Sequence, residues 1–147
     1  MKVRAYVLLV FAGILTMSAS TKKASLSEGN TPGNLAPRIE SMDNGREVRF
    51  QNHSGKYTLL NFWAAYDAES RARNIQLWNE VNKLNSSEIE MISISYDKSP
   101  SVFSETVKAD GLNHENQFRD EQGAESELYK KKKKKKGFRN FLIDDKG

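Results

Sequence analysis

One nearly continuous apolar run, Tyr57–Ala64, and a second apolar-rich stretch carried by Ile89, Met91, Ile92, Ile94 and Tyr96 stand out in a chain that is otherwise polar or mixed. Runs of this length between polar turns suit strands buried on both faces. Both are expected to be central strands, the first after the turn Asn52–Lys56 and the second closing at Asp97. Between them Ile75, Trp78, Val81 and Leu84 recur at helical spacing, and Asp67 stands where a short carboxylate can accept free first-turn amides. The spacing predicts a helix from Asp67 to the polar stop Asn85-Ser86-Ser87. Ser99-Pro100 opens a second helix with proline in its first turn, Val102, Phe103 and Val107 give it an apolar face, and Gly111 ends it.

Weaker patterns fill the rest. Alternation through Val48 and Phe50 predicts a short half-exposed strand over Arg46–Gln51, opened by Pro37-Arg38-Ile39. Phe118 lies in a short extended piece before the turn Asp120–Gly123, Ala124 to about Lys132 reads as a third helix, and Phe138–Ile143 as a last strand before the turn Asp144–Gly147. The order β, β, α, β, α, short β, α, β implies an α/β layer with parallel pairings and right-handed crossovers.

Length and composition narrow the class. A chain of 147 residues with 37% hydrophobic and 10% aromatic content is one soluble globular domain at most. The N-terminus has the pattern of an export signal: Lys2 and Arg4, the apolar stretch Ala5–Met17, and the small residues Ser18-Ala19-Ser20. Thirteen residues fall short of the ~20 that span a bilayer. Residues 1–20 are therefore expected to be a signal peptide, 21–37 (Ser, Thr, Gly, Asn and Pro) a flexible tether, and 38–147 the domain. Ser20 stands where a bacterial lipoprotein would carry its cysteine, and a hydroxyl cannot form the lipid thioether. The expected location is the periplasm or cell envelope of a bacterium, without a lipid anchor.

Charge is local. The net charge of +4 includes seven consecutive lysines, Lys130, Lys131, Lys132, Lys133, Lys134, Lys135 and Lys136; without them 16 basic residues face 19 acidic ones, a balance of −3. The tract offers weak contact with an anionic surface. Its aromatic neighbours Tyr129 and Phe138 are too few for a stacking platform, so nucleic acid is not an expected partner. There is no cysteine, no paired-histidine motif and no cluster of ligands, and neither a metal nor a cofactor is expected.

The segment LLNFWAAYDAESR, Leu59–Arg71, resembles the active-site strand and helix start of the thioredoxin superfamily, where F-W-A leads into W-C-x-x-C-[RK]. The strand ISISYD at 92–97, the D-x-x-G turn at Asp120–Gly123 and FLIDDKG at 141–147 extend the likeness over about Leu35–Gly147. It is closest in pattern to exported thiol-disulfide oxidoreductases of the TlpA/ResA type. The resemblance implies a thioredoxin-like three-layer fold, a central mixed sheet flanked by helices, with the family's C-terminal strand and helix missing.

Aligned on Phe62-Trp63-Ala64, the two sulfur positions hold Asp67 and Ser70. Tyr66 replaces the family's tryptophan, Ala68 its proline, and Asn61 stands at the buried acid of many thioredoxins. Counting back from Phe141, the cis-proline position holds Phe138. Thiol–disulfide exchange needs a thiolate, so no catalytic residue is expected. Asp67 reads as a helix cap with Ser70 beside it, Glu69, Arg71 and Arg73 as a solvated first turn, and Trp63 and Trp78 as core. Tyr66, Asp67, Arg71 and Phe138 are the binding candidates. A serine nucleophile at Ser70 would need a base, and the two histidines, His53 and His114, fall in distant loops. The expected function is a non-catalytic binding or accessory module with a protein partner in the cell envelope. The alternatives are membership of a thiol-disulfide oxidoreductase system by similarity, and a polybasic surface-associating protein.

Overall fold

The computed structural model describes residues 27–147 apart from 30, 37–38, 40–41, 46–47, 49, 51–54, 85–86, 128 and 131–137. The expected signal peptide, residues 21–26, 30 and 37 of the expected tether, His53 and Lys131–Lys136 lie outside the described residues. Among the described residues no helix is long and apolar enough to cross a membrane.

The apolar runs form the middle of one sheet. Strand β1 is Tyr57–Trp63, followed by helix α1 (Ala68–Asn82), strand β2 (Ile89–Ser95), helix α2 (Pro100–Ala109), the short strand β3 (Gln117–Arg119) and strand β4 (Asn140–Ile143). The sheet order is β3-β2-β1-β4. β1 pairs parallel with β2 from Tyr57–Ile89 to Trp63–Ser95, and β2 pairs parallel with β3. β4 runs antiparallel to β1, from Thr58–Ile143 to Asn61–Asn140. The sheet, with β4 antiparallel beside two parallel pairings, is the mixed one that the resemblance implied, where the alternation of strands and helices by itself pointed only to parallel pairings. With no helix needed to cross back over the sheet, β4 can enter from the loop before it and run against β1.

Period-two alternation divides the core between the faces of β1. Leu60 and Phe62 join Ile39, Met42, Val48, Phe50, Ile94, Tyr96, Tyr129 and Ile143 in one cluster. Trp63 meets Phe103, Val107 and Leu112, with Trp78 packed against them, in the other. The N-terminal segment and the residues around Tyr129 cover the first face, and the two helices cover the second.

Several expected boundaries move. Val48 makes an isolated antiparallel bridge to Ile39, and both Val48 and Phe50 are buried in the core, so these two positions are not those of a half-exposed strand; residues 46–47, 49 and 51 of that expected strand lie outside the described residues. α1 stops at Asn82, before the polar triplet. Its deepest side chains are Ser70 and Asn74, whereas Leu84 is exposed. The apolar periodicity marked the rim of the buried face, and polar residues occupy its centre. The third helix does not begin at Ala124: Gly123–Glu125 is a 3-10 turn, and Ser126, extended, accepts the Tyr129 N–H on its Oγ. β4 starts at Asn140, two residues later than expected. α2 agrees with the sequence, with Ser99 as its cap, Pro100 in its first turn and Gly111 at φ +65° after its end.

Candidate functional site

The end of β1, the start of α1 and the end of β2 converge on residues 64–71, and backbone geometry there is held by side chains. Ala65 donates its N–H to the Asp97 carboxylate at 2.9 and 3.1 Å, and Asp97 also accepts from Ser95 Oγ at 2.6 Å. Ala64 donates its N–H to Ser70 Oγ at 3.2 Å. The chain then turns, with Asp67 N–H bonded to the Ala64 carbonyl at 3.1 Å, and enters the helix.

Asp67 is the N-cap. Its backbone is extended (φ −109°, ψ 99°) and its Oδ1 accepts the Ser70 N–H at 2.8 Å. The helix N-terminus favours the carboxylate as it would favour a thiolate. Ser70 is 2% exposed, and its hydroxyl donates to the Asp67 carbonyl at 3.1 Å while accepting from Ala64. Asp67 and Ser70 are therefore both committed to closing the strand–helix junction. Among the described residues no histidine bonds to Ser70, and His114 lies edge-on to Phe103, 6.5 Å between centroids. Asp67→Ala is expected to cost roughly 0.5–2 kcal/mol, with Asp67→Ser and Asp67→Asn close to neutral. Urea unfolding of the three variants measures this, and equal large losses from all three would assign the role to the charge itself.

The other candidates divide. Tyr66 is 64% exposed, presenting its ring beside the junction. Partial burial, then a side-chain hydrogen bond with Tyr129 and the charges of Asp97 and Asp67, push its phenol up to about 12. Phe138 is half-buried: its ring stacks on Tyr96 at 5.8 Å and 16°, and meets Tyr129 edge-on at 6.1 Å. Tyr96, 1% exposed, is pushed up strongly, by burial first and the Asp120 charge second. Tyr129, Tyr96 and Phe138 thus form one aromatic group. No peptide bond among the described residues is cis.

The expected solvated first turn holds for the exposed Glu69, whereas Arg71 and Arg73 are engaged by other segments. Arg71 binds Asp110, the C-cap of α2, through both Nε (2.8 Å) and Nη2, and this pairing pushes its guanidinium further up. Arg73 reaches the Phe138 carbonyl at 3.0 Å and also pairs with Glu69. Planar guanidinium forks make such two-point contacts where a lysine could not, and each ties α1 to a neighbouring segment.

Sequence reasoning missed three supports. Asp97 was read only as the end of a strand, and it fixes the loop above it. Asn74 accepts from Asn61 Nδ2 (2.7 Å) and Ser93 Oγ (2.7 Å) and donates to Gln117 Oε1 (3.3 Å), joining α1 to three strands. The available signal was spacing, since Ser70, Asn74 and Trp78 share one helix face at four-residue intervals. Arg119, 4% exposed, bonds Asp43 and the Lys98 carbonyl and so anchors the N-terminal segment. Among the described residues no cluster of His, Asp or Glu could hold a metal ion.

Known proteins agree with this architecture. A thioredoxin-like protein from Parabacteroides distasonis is 58% identical, with a TM-score of 0.74 over 84% of this chain and 87% of that one. A thiol-disulfide oxidoreductase from Bacteroides fragilis is 27% identical, with a TM-score of 0.59 over 76% of this chain and 84% of that one. The thioredoxin domain of a Bacteroides vulgatus thiol-disulfide oxidoreductase, at 20% identity and a TM-score of 0.66 over 81% and 85%, shares the fold. No curated protein matches. The AhpC/TSA family model matches residues 32–147, which takes in every strand and helix of the sheet and the junction at 64–71. The chain belongs to the AhpC/TSA family, with a thioredoxin-like fold and no cysteine.

Proposed function

We propose that this protein is an exported thioredoxin-like domain that has lost thiol–disulfide exchange and serves as a non-catalytic binding or accessory module. The observation that carries this reading is the fate of the two sulfur positions. Asp67 caps α1, and Ser70 is buried in a bond to Ala64 N–H, so both contribute to the fold and neither offers a nucleophile to solvent. Export rests on the basic, apolar and small-residue order of residues 1–20, and the domain is taken to begin after the tether at residue 38. The contact face is centred on exposed Tyr66, with Asp67 beside it and Arg71 and Phe138 supporting it from below. Its partner is a protein of the cell envelope.

A polybasic reading has one specific support. Lys130, the first lysine of the tract, is exposed and directly follows Tyr129, whose ring packs against Tyr96 and Phe138. The basic segment therefore begins beside the same face.

Capture from an envelope extract separates the two. Tyr66→Ala is expected to reduce specific capture at least several-fold, while replacement of Lys130–Lys136 by a neutral helix former leaves it intact. Tyr66 suits this test because its ring is exposed, whereas truncating Phe138 also removes core packing. Loss of capture with the lysine replacement alone, together with steep weakening by salt, would transfer the function to the tract.

A further inference from the structure

The ladder between β1 and β4 ends at Asn61–Asn140, although β1 continues to Trp63. Phe138 lies just ahead of β4, and its two ends are held by different parts of the molecule. Tyr96 and Tyr129 hold its ring. Its carbonyl accepts from Arg73 Nη1 at 3.0 Å, a contact 65 residues apart in sequence. Arg73 is itself oriented by Glu69, one turn earlier on α1, through its other terminal nitrogen at 2.5 Å.

We propose that Arg73 is a positioning residue that fastens the segment entering β4 onto α1 and so keeps the Phe138 ring seated over Tyr96. The bond is charge-assisted and lies on a partly exposed side chain, 35% accessible, so it can be removed without hollowing the core. Arg71 does the corresponding work on the other side of α1, at Asp110. The pair makes this helix the piece that sets the spacing of the face around Tyr66. The assignment stands whether or not that face takes a partner, because its test reads the segment itself.

The test is amide hydrogen exchange on the full chain, comparing wild type with Arg73→Met, Arg73→Lys and Arg71→Met. Loss of a hydrogen bond to a charged group should speed exchange at residues 139–141 by about tenfold in Arg73→Met, with β2 and α2 unchanged. Arg73→Lys should recover part of the protection, since an ammonium can still donate to the carbonyl but lacks the second arm that Glu69 holds. Arg71→Met should leave residues 139–141 at the wild-type rate. Unchanged exchange at 139–141 in Arg73→Met would overturn the assignment. So would equal acceleration across β2, α2 and β4, which would mean that Arg73 supports only general stability.

Discussion

Insulin disulfides should survive this protein: with dithiothreitol as reductant, aggregation of the insulin B chain is expected at the rate of the buffer blank. Exchange requires a thiolate that attacks a disulfide and a second sulfur that resolves the mixed intermediate. The chain has no cysteine to fill either role. The Ser70 hydroxyl is no substitute, since it is buried, already accepts from Ala64 N–H and has no base among its partners. Turnover above the blank in a clean preparation would sink the reading. Introducing Asp67→Cys and Ser70→Cys together is not expected to restore the family's activity. The first change removes the α1 cap, the second places sulfur at a 2% exposed site, and Phe138 still fills the position where the family carries its substrate-loop proline.

The central strands were legible because burial writes itself as apolar-rich stretches, nearly continuous in Tyr57–Ala64 and interrupted by Glu90, Ser93 and Ser95 in Ile89–Tyr96. The caps at Asp67 and Ser99 were legible for a related reason: a short acceptor before a helical period has few other uses. What stayed hidden depends on contacts between residues far apart in sequence. Arg71 and Arg73 look like any solvated first turn until α2 and the segment before β4 bring Asp110 and the Phe138 carbonyl within reach. Val48 and Phe50 alternate like a half-exposed strand, and become core only because Leu60 and Phe62 on β1 need a cover on that face. The mixed sheet was legible only through the family resemblance, since the four residues of β4 carry no sign by themselves of whether their neighbour runs parallel or antiparallel.

The largest stability loss is expected from Asn74→Leu. Asn74 is fully buried and serves three elements at once, accepting from Asn61 and Ser93 and donating to Gln117. Leucine matches its size, so the cavity contribution is small and the cost lies in the polar groups left behind. A buried donor or acceptor stripped of its partner costs about 1–3 kcal/mol. With Asn61 and Ser93 losing their acceptor and Gln117 a donor, the sum is roughly 3–5 kcal/mol, several times the cost of removing the Asp67 cap and a large part of a typical domain's stability. Urea unfolding should show the loss as a lower midpoint with an unchanged slope, since the surface exposed on unfolding stays the same. The mechanism makes a second demand. Adding Asn61→Leu and Ser93→Ala to Asn74→Leu should win back part of the loss, because the two donors that lost their acceptor are then removed as well, leaving fewer buried polar groups stripped. A loss below about 1 kcal/mol from Asn74→Leu alone, or strictly additive losses across the three changes, would mean that the network does not act as a unit and that α1 is held to the sheet by its apolar rim.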